Sequence, residues 1–404
     1  IGNLAMATLM VLASASLLNI VPVSASDYTL EIFGNANEDE TINMQDVTYT
    51  ELIILEYRDR TQLADAKYDG RINMQDVTQI ELTILGREKE LTLLDSADRT
   101  VTVEKPIERI ITPNGDCMPV LRALHATDKI VGVSKYTIQN TLFYPEFSGY
   151  PNVGSVWSPD YEVMLECNPD LVILYASFST SKCEAIENTL TDADPEIKCI
   201  WIDGYKPSSM VEESRLLGYL LDKEDEAEEW IDFYEGFLNP IYDGVADIPL
   251  EERTRVYIEC WRPYHTAAGN AGWHEKLELA GGYNIFRDLT VDYPDVSEED
   301  VIDRHPDAII RVTTEGGYDT DDITELSDLR DEIMDRPELA HVPAVENGKV
   351  YVIDNAVFGG TAHFIGMGYI AKWLYPDRFT DLDHPMKKLS NLFQKNLIYF
   401  VFHR

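Results

Sequence analysis

Short apolar runs rich in β-branched residues alternate with helical patterns over most of the chain from about Leu91 onward. Such runs, bounded by turn residues, predict buried strands, and their alternation with helices predicts an α/β fold with largely parallel sheets. The runs form two series, which predicts two sheets of similar build. The predicted strands are Arg109–Thr112, Ile130–Val133, Leu171–Leu174 and Ile197–Ile202, then Arg255–Glu259, Ala308–Val312 and Val350–Ile353.

The segment between the two series differs in composition from both. Residues 208–246 are dense in Glu, Leu and aromatic residues, and Pro240 is the only interior proline. This composition predicts one or two long helices. Because a helix resists bending, we expect a rigid connection over 208–248 that joins an N-terminal lobe at 91–207 to a C-terminal lobe at 249–404.

The heptapeptide INMQDVT occurs at Ile42–Thr48 and again at Ile72–Thr78, which indicates an internal duplication. In each copy, alternating side chains precede a carboxylate at the twelfth position of a loop. Calcium binds roughly six to eight oxygen atoms, and this spacing supplies them from one tight turn. The predicted calcium ligands are Asn35, Asn37, Asp39, the carbonyl of Thr41 and Asp46 in the first loop, and Asp65, Asp69, the carbonyl of Arg71 and Asp76 in the second.

These paired loops, each ending in Asp and followed by an apolar helical pattern, resemble the dockerin module over residues 27–90. The resemblance implies a small all-α domain, calcium in the loops and a cohesin-type partner. Two residues depart from the pattern, since Glu40 replaces the usual glycine and Lys67 places an ammonium where the second loop needs an oxygen. A calcium-free helical pair is the alternative, and it is strongest for the second loop.

The composition excludes several classes of function. The chain has 72 Asp and Glu residues against 33 Lys and Arg, a formal net charge of -39, and 45% of its 404 residues are hydrophobic. This apolar content excludes wholesale disorder, and so acidic a surface repels nucleic acid and anionic lipid. The five cysteines are odd in number and form no CxxC pair, so they predict buried apolar residues rather than a disulfide framework or a zinc site.

Residues 1–26 carry no charge and end in small residues, Val23-Ser24-Ala25. This pattern predicts part of a secretory signal peptide and hence an exported protein, extracellular, cell-surface or periplasmic. An uncleaved membrane anchor is the alternative. Pro22 favours cleavage, because it interrupts a continuous membrane-spanning helix.

Two segments match each other across the predicted lobes. In each, a glutamate is followed seven residues later by Pro-Asp and then by a strand, with Glu162 before Pro169-Asp170 and Glu299 before Pro306-Asp307. Each proline ends a short helix, and the glutamate lies in its first turn, where a carboxylate suits the helix dipole. On the residues alone, the glutamates either complement their helices or dock a partner.

Four further stretches, at 106–111, 154–162, 280–284 and 344–351, occur in an order and spacing that resemble the substrate-binding proteins of ABC importers for iron chelates and cobalamin. The resemblance spans Leu91 to Asp383. It implies two α/β lobes joined by a rigid helix, a metal-chelate ligand and an ABC permease as partner. It also implies that Glu162 and Glu299 meet arginines of that permease.

The ligand of a two-lobed α/β protein lies in the crevice at the carboxyl ends of its strands. Aromatic faces and arginine side chains in the loops there suit a bulky, partly anionic metal complex. Trp273 is alternatively a core residue, and Arg311 is alternatively a salt-bridge partner. The predicted ligand-binding residues are Asn114, Tyr136, Trp157, Trp261, Arg262, Tyr264, Trp273, His274, Arg311 and His363.

The sequence therefore predicts an exported substrate-binding protein that captures an iron(III) siderophore, corrinoid or similar chelate for an ABC permease and is tethered through the repeat. Without a GxSxG elbow, HExxH helix or phosphate-binding loop, it predicts no catalytic residue and no enzyme. The alternatives are an adhesive surface protein that uses the repeat, or a hydrolase of the cleft. The apolar tail at Leu397–Phe402 has no place in the family pattern.

Overall fold

The computed structural model describes residues 28–315 and 322–382. The predicted signal segment at 1–26 and the apolar tail at Leu397–Phe402 lie outside these residues. Within the two described ranges, no helix is both long enough and apolar enough to span a membrane.

Strands and helices follow one another closely along the chain. The strands are β1 Glu90–Leu94, β2 Thr100–Glu104, β3 Ile110–Thr112, β4 Ile130–Val133, β5 Gly154–Ser155, β6 Ser158–Pro159, β7 Leu171–Leu174, β8 Lys198–Trp201, β9 Thr254–Cys260, β10 Gly282–Asn284, β11 Ala308–Thr313 and β12 Val350–Asp354. The helices are α1 Met44–Ile54, α2 Met74–Ile84, α3 Met118–Ala123, α4 Lys135–Gln139, α5 Tyr161–Glu166, α6 Thr180–Ala193, α7 Pro207–Leu221, α8 Glu224–Val245, α9 Gly272–Leu279, α10 Glu298–Asp303, α11 Thr324–Met334, α12 Pro343–Glu346, α13 Asn355–Phe358 and α14 His363–Leu374.

Each lobe is built on a parallel sheet. The strand order is β4-β3-β7-β8 in the first lobe and β10-β9-β11-β12 in the second, and every pairing in both is parallel. All four residues of β7 are buried, as expected for a strand covered on both faces. The predicted α/β architecture is confirmed, and the predicted strands agree with the observed ones to within two residues.

The connection between the lobes is a helical hairpin. Asp222 adopts a left-handed conformation, with φ of 57°, and ends α7. The chain then reverses, so that Trp230 of α8 donates to Ser214 of α7 at 3.0 Å. The second arm, α8, has 22 residues, about 33 Å of helix, and contacts α3 of the first lobe and α9 and α14 of the second. The segment predicted as one or two helices is therefore two, and α8 contacts both lobes.

The N-terminal repeat packs on this hairpin rather than standing apart from it. Helices α1 and α2 contact each other, and the backbone N–H of Ile42 donates to the hydroxyl of Tyr219 on α7 at 2.8 Å. An antiparallel ribbon, β1–β2, which the prediction did not include, lies between the repeat and the first lobe. Phe33 donates to Thr92 of β1 at 2.9 Å, and Trp201 of β8 donates to Asp95 at 3.0 Å. The repeat and both lobes share one continuous apolar core.

Candidate ligand-binding cleft

A cavity of about 640 Å³ lies between the two lobes. Its lining residues follow strands of both sheets, with Asp116 after β3, Tyr136 after β4 and Tyr175 after β7 in the first lobe, and Trp261 after β9 and Thr314 after β11 in the second. The carboxyl ends of parallel strands lie at one edge of a sheet, which is where such proteins bind ligands. The volume falls within the usual range for small-molecule sites.

Aromatic rings form much of the wall. Trp157 lies 6.1 Å from Tyr136 and 6.3 Å from Tyr175 between ring centroids, in the first lobe. The facing lobe contributes Trp261. Tyr136, Trp157 and Trp261 expose 49%, 41% and 45% of their surface, although aromatic side chains of this size are usually more buried. Exposed rings that line a concave surface indicate a site for a ligand with an apolar face.

The backbone of Trp261 is held in a strained conformation. Its φ is 59°, in the left-handed region that a tryptophan rarely adopts. The N–H of Trp261 donates to Val312 at 2.9 Å, and its carbonyl accepts from Arg311 at 2.5 Å. Strain of this kind persists only where surrounding contacts fix it, and it concentrates at functional sites. The two bonds therefore keep the indole at the cleft.

The floor of the cleft holds a carboxylate and an interlobe contact. Tyr175 donates to Asp116 at 2.9 Å, and burial raises the pKa of the Asp116 carboxyl. The Thr361 hydroxyl of the second lobe lies 2.5 Å from the Asp116 carbonyl and 2.9 Å from the Gly204 carbonyl of the first lobe. Beneath this contact, Lys276 is buried, which lowers its pKa to about 8, and donates to Phe358 at 3.3 Å.

The two matching segments occupy equivalent places in their lobes. Asp170 accepts the backbone N–H of Arg109 at 3.0 Å, and Asp307 accepts that of Arg255 at 3.2 Å. Each arginine in turn donates to a carbonyl at the end of the preceding helix, α5 or α10. The residue before each proline has a positive φ, 44° and 45° respectively. Glu162 and Glu299 are exposed in the first turns of these helices.

A family model described as periplasmic binding protein matches residues 110–357. This range contains both parallel sheets, the helical hairpin and most of the residues that line the cleft. The chain belongs to the periplasmic binding protein family. Members of this family are solute-binding proteins rather than enzymes.

Several relatives of this periplasmic binding protein are known by what they bind. The vitamin B12-binding protein of Salmonella typhimurium is 29% identical over 181 residues, 45% of this chain and 64% of that protein, so the chain spans less than two thirds of it. The molybdate-binding protein MolA of Haemophilus influenzae is 25% identical over 337 residues, 75% of this chain and 90% of that protein. The structure of the TroA-like periplasmic binding protein FepB from Veillonella parvula has a TM-score of 0.63 at 24% identity, covering 75% of this chain and 95% of that one. The last similarity shows the fold alone.

The structure brings three of the ten predicted ligand residues to the cavity of this periplasmic binding protein. Tyr136, Trp157 and Trp261 line it. Trp273 does not, because it is buried beneath Trp261, with 4.9 Å between their ring centroids. Asn114 is fully buried and donates to the Ile202 carbonyl at 2.6 Å, so it fixes the loop that presents Asp116.

The predicted arginines lie outside the lining. Arg311 is buried and pairs with Glu259 at 2.7 Å, and Arg336 binds the same carboxylate at 2.7 and 2.9 Å. Glu259 and Arg311 are register partners on β9 and β11, which is why the arginine turns to its neighbour. Arg262 is exposed and pairs with Asp295 at 2.6 Å.

The remaining predicted ligand residues also have partners elsewhere. The hydroxyl of Tyr264 donates to Glu338 at 2.5 Å. Ring nitrogens of His274 lie 3.3 Å from Asn284 and 3.7 Å from Glu278. Buried His363 donates from Nδ1 to Gly360 at 2.7 Å, so its Nε2 accepts the Tyr234 hydroxyl at 2.6 Å. Burial lowers the pKa of His363, which stays neutral.

Asp116, Tyr175, Asn140 and Thr361 also line the cleft, although the predicted set of ligand-binding residues does not include them. The motif Pro-Asn-Gly-Asp after β3 marked the correct loop, but Asn114 rather than Asp116 was chosen from it. Which of two neighbouring polar residues faces the cleft depends on the local turn, here a short 3-10 helix that begins at Gly115. All five cysteines are free and buried, as the composition predicted.

The two repeated loops of this periplasmic binding protein share one arrangement. Asp46 accepts backbone N–H groups from Asn37 at 3.1 Å and Asn43 at 2.8 Å, and Asp76 does the same in the second loop. Burial raises the pKa of both carboxyls. Among the residues that the structure describes, no three His, Cys, Asp or Glu side chains are grouped closely enough to hold a metal ion. Calcium in these loops therefore stays a prediction.

Proposed function

We propose that this periplasmic binding protein is exported, captures a metal chelate in the interlobe cleft and delivers it to an ABC permease. The observation that carries the proposal is the set of exposed aromatic rings on both lobes that face one cavity. The name of the vitamin B12-binding relative supports a chelate as the ligand. The two proposed kinds of chelate are a corrinoid and an iron(III) siderophore.

Capture is tested on the full chain purified from its own source. Native mass spectrometry should show a retained, coloured ligand of roughly one equivalent, and adding that ligand to stripped protein should raise the melting temperature. Trp157→Ala and Trp261→Ala should weaken binding, whereas Trp373→Ala, outside the cleft, should not. Absence of any retained ligand, together with no melting shift from corrinoids or siderophores, would overturn the proposal.

Delivery rests on Glu162 and Glu299. They are exposed, lie in equivalent first turns of α5 and α10, and belong one to each lobe, as a two-lobed docking surface requires. Glu162→Lys combined with Glu299→Lys should abolish transport and permease binding while leaving ligand affinity unchanged. Glu166→Lys with Asp303→Lys changes the net charge equally at the last turns of the same helices and is the matched control. Equal transport by both double variants would exclude the docking role.

Calcium in the first loop is proposed on a separate observation. The side-chain oxygen of Asn35 is buried and accepts no hydrogen bond from any residue that the structure describes, in a loop that also contains Asp39 and buried Asp46. Oxygen donors of this type suit calcium. Calorimetry on the full chain should detect one calcium ion, lost in Asp46→Asn and kept in Asp76→Asn. No calcium heat in the parent chain would leave a calcium-free helical pair.

A cohesin-type partner on the repeat is the last part of the proposal. The duplication leaves matching exposed side chains at both ends of the two helices: Met44 and Met74 begin α1 and α2, and Leu55 and Leu85 directly follow them, each more than half exposed. Paired apolar side chains of this kind provide a protein-binding surface. A pull-down with purified cohesin domains should retain the parent chain and lose Met44→Asp with Met74→Asp. Unchanged retention by that variant would exclude this surface.

A further inference from the structure

The cleft contains acidic side chains and no basic ones. Asp116 and Asp354 line it, whereas Arg, Lys and His are absent among the described residues of its lining. The sequence predicted arginine contacts and hence a partly anionic ligand. Since Arg262 and Arg311 lie outside the lining, the basis for that expectation is gone.

Several basic side chains around the cleft already have partners. Lys276 is 1% exposed, donates to Phe358 and lies 5.5 Å from the ring of Tyr205. Arg122 donates to Phe143 at 2.6 Å and pairs with Glu146. The Lys135 ammonium lies 4.9 Å from the ring of Tyr136, which lines the cavity.

Asp116 is suited to face a positive charge. Its carboxylate receives one hydrogen bond, from Tyr175, and it lies on the cavity floor among aromatic rings. The Lys276 ammonium interacts with this carboxylate, but it is 1% exposed and does not line the cavity, so an anion in the cavity would meet the carboxylate rather than the ammonium. In a partly desolvated site such repulsion is strong. The net charge of -39 adds a long-range field that favours cations.

We infer that the cleft selects an uncharged or cationic chelate with an extended apolar face and rejects anionic chelates. This inference rests on the proposed function. Corrinoids and ferric trihydroxamates belong to the accepted class. Ferric tris-catecholates and free oxyanions belong to the rejected class. The aromatic walls supply affinity for the apolar face, and Asp116 supplies the discrimination by charge.

The test measures quenching of tryptophan fluorescence in the full chain, since Trp157 and Trp261 line the cavity. The probes are cyanocobalamin, which is uncharged; aquocobinamide and ferrioxamine B, which are cationic; and ferric enterobactin and molybdate, which are anionic. We expect an uncharged or cationic probe to bind at least about 100-fold more tightly than either anionic one. Repeating the titrations at raised salt screens the long-range field but leaves the contribution of Asp116.

Variants identify the group that discriminates. Asp116→Asn should weaken the cationic probes by about 10-fold and change cyanocobalamin least. Tyr175→Phe removes the hydrogen bond to Asp116 but keeps its carboxylate, so the preference for cationic over anionic probes should remain. This variant separates the effect of the Asp116 charge from the effect of a disturbed loop. Asp303→Asn removes an equal charge outside the cleft and should have no effect.

Three outcomes overturn the inference: tightest binding by an anionic probe, an unchanged charge preference in Asp116→Asn, or anion binding that Lys135→Ala abolishes. If the anionic probe that binds is ferric enterobactin, the protein still binds a chelate and the proposed function stands. Binding of molybdate alone would overturn the proposed function as well. If no probe of any charge binds, the proposed function fails together with the inference, so the two failures are distinguishable.

Discussion

Replacing Glu259 by Gln tests whether Arg311 is structural or touches the ligand. Glu259 is completely buried and binds Arg311 at 2.7 Å and Arg336 at 2.7 and 2.9 Å. Glu259→Gln keeps the shape of the side chain but removes the carboxylate from two largely buried guanidinium groups, of which Arg336 keeps only the partly exposed Glu332 at 3.1 Å. Removing one member of a buried ion pair costs about 3–5 kcal/mol of unfolding free energy.

Two further variants provide reference values for the loss of unfolding free energy in Glu259→Gln. Arg311→Met leaves Glu259 paired with Arg336, so we expect a loss of only about 1–3 kcal/mol. Arg262→Met breaks an exposed pair, in which the side chains of Arg262 and Asp295 are 53% and 71% exposed, and should cost less than about 1 kcal/mol.

The assay is urea unfolding followed by circular dichroism, with ligand affinity measured in parallel. Because Arg311 also bonds the Trp261 carbonyl, we expect Arg311→Met to weaken binding only modestly, through the position of that indole. The reasoning is refuted if Glu259→Gln unfolds like the parent chain. It is also refuted if Arg311→Met abolishes binding without any loss of stability, because that result would make Arg311 a direct ligand contact.

Other expected outcomes concern the cleft, the hairpin and pH. Trp261→Ala should weaken chelate binding by about 10-fold or more in fluorescence or calorimetric titration, as loss of a central aromatic contact does. Gly218→Val should lower the unfolding free energy measured in urea by about 1–3 kcal/mol, because a Cβ there would lie 2.8 Å from the Cβ of Ala227. Gly236→Ala is the control: a Cβ there meets open space, so this variant should be neutral or slightly stabilising. Burial raises the pKa of Glu213 to about 7, whereas the carboxyl in the unfolded state loses its proton at lower pH. The parent chain should therefore lose about 3 kcal/mol of unfolding free energy relative to Glu213→Gln as pH rises from 4.5 to above 7. Urea unfolding of both chains across that pH range measures the difference.

The parts of the fold that depend on local patterns could be predicted from the sequence. Continuous apolar runs such as Leu171–Leu174 become fully buried parallel strands. The Pro-Asp motifs at Asp170 and Asp307 identify equivalent positions in two similar lobes. The edge of each sheet that carries the cleft follows from the parallel strand direction, so the correct loops could be named before the structure was known.

The parts that depend on long-range contacts could not be predicted. Glu259 and Arg311 are 52 residues apart in the chain, and only the pairing of β9 with β11 brings them together. The break between α7 and α8 falls at Asp222, which is neither glycine nor proline and therefore gives no strong signal. The β1–β2 ribbon was missed although its residues alternate, because the N-terminal repeat covers it and buries both faces of much of β1.

The packing of the repeat on α7 ties the orientation of the repeat to that of the helical hairpin between the lobes. Arg215 of α7 pairs with Glu228 of α8 and lies 3.5 Å from Glu40 of the repeat, and Tyr219 of α7 bonds Ile42. The arm that joins the lobes, α8, is therefore held by α7, and α7 is held by the repeat. An anchor on the repeat fixes the orientation of the hairpin, because rotating one against the other would break buried contacts.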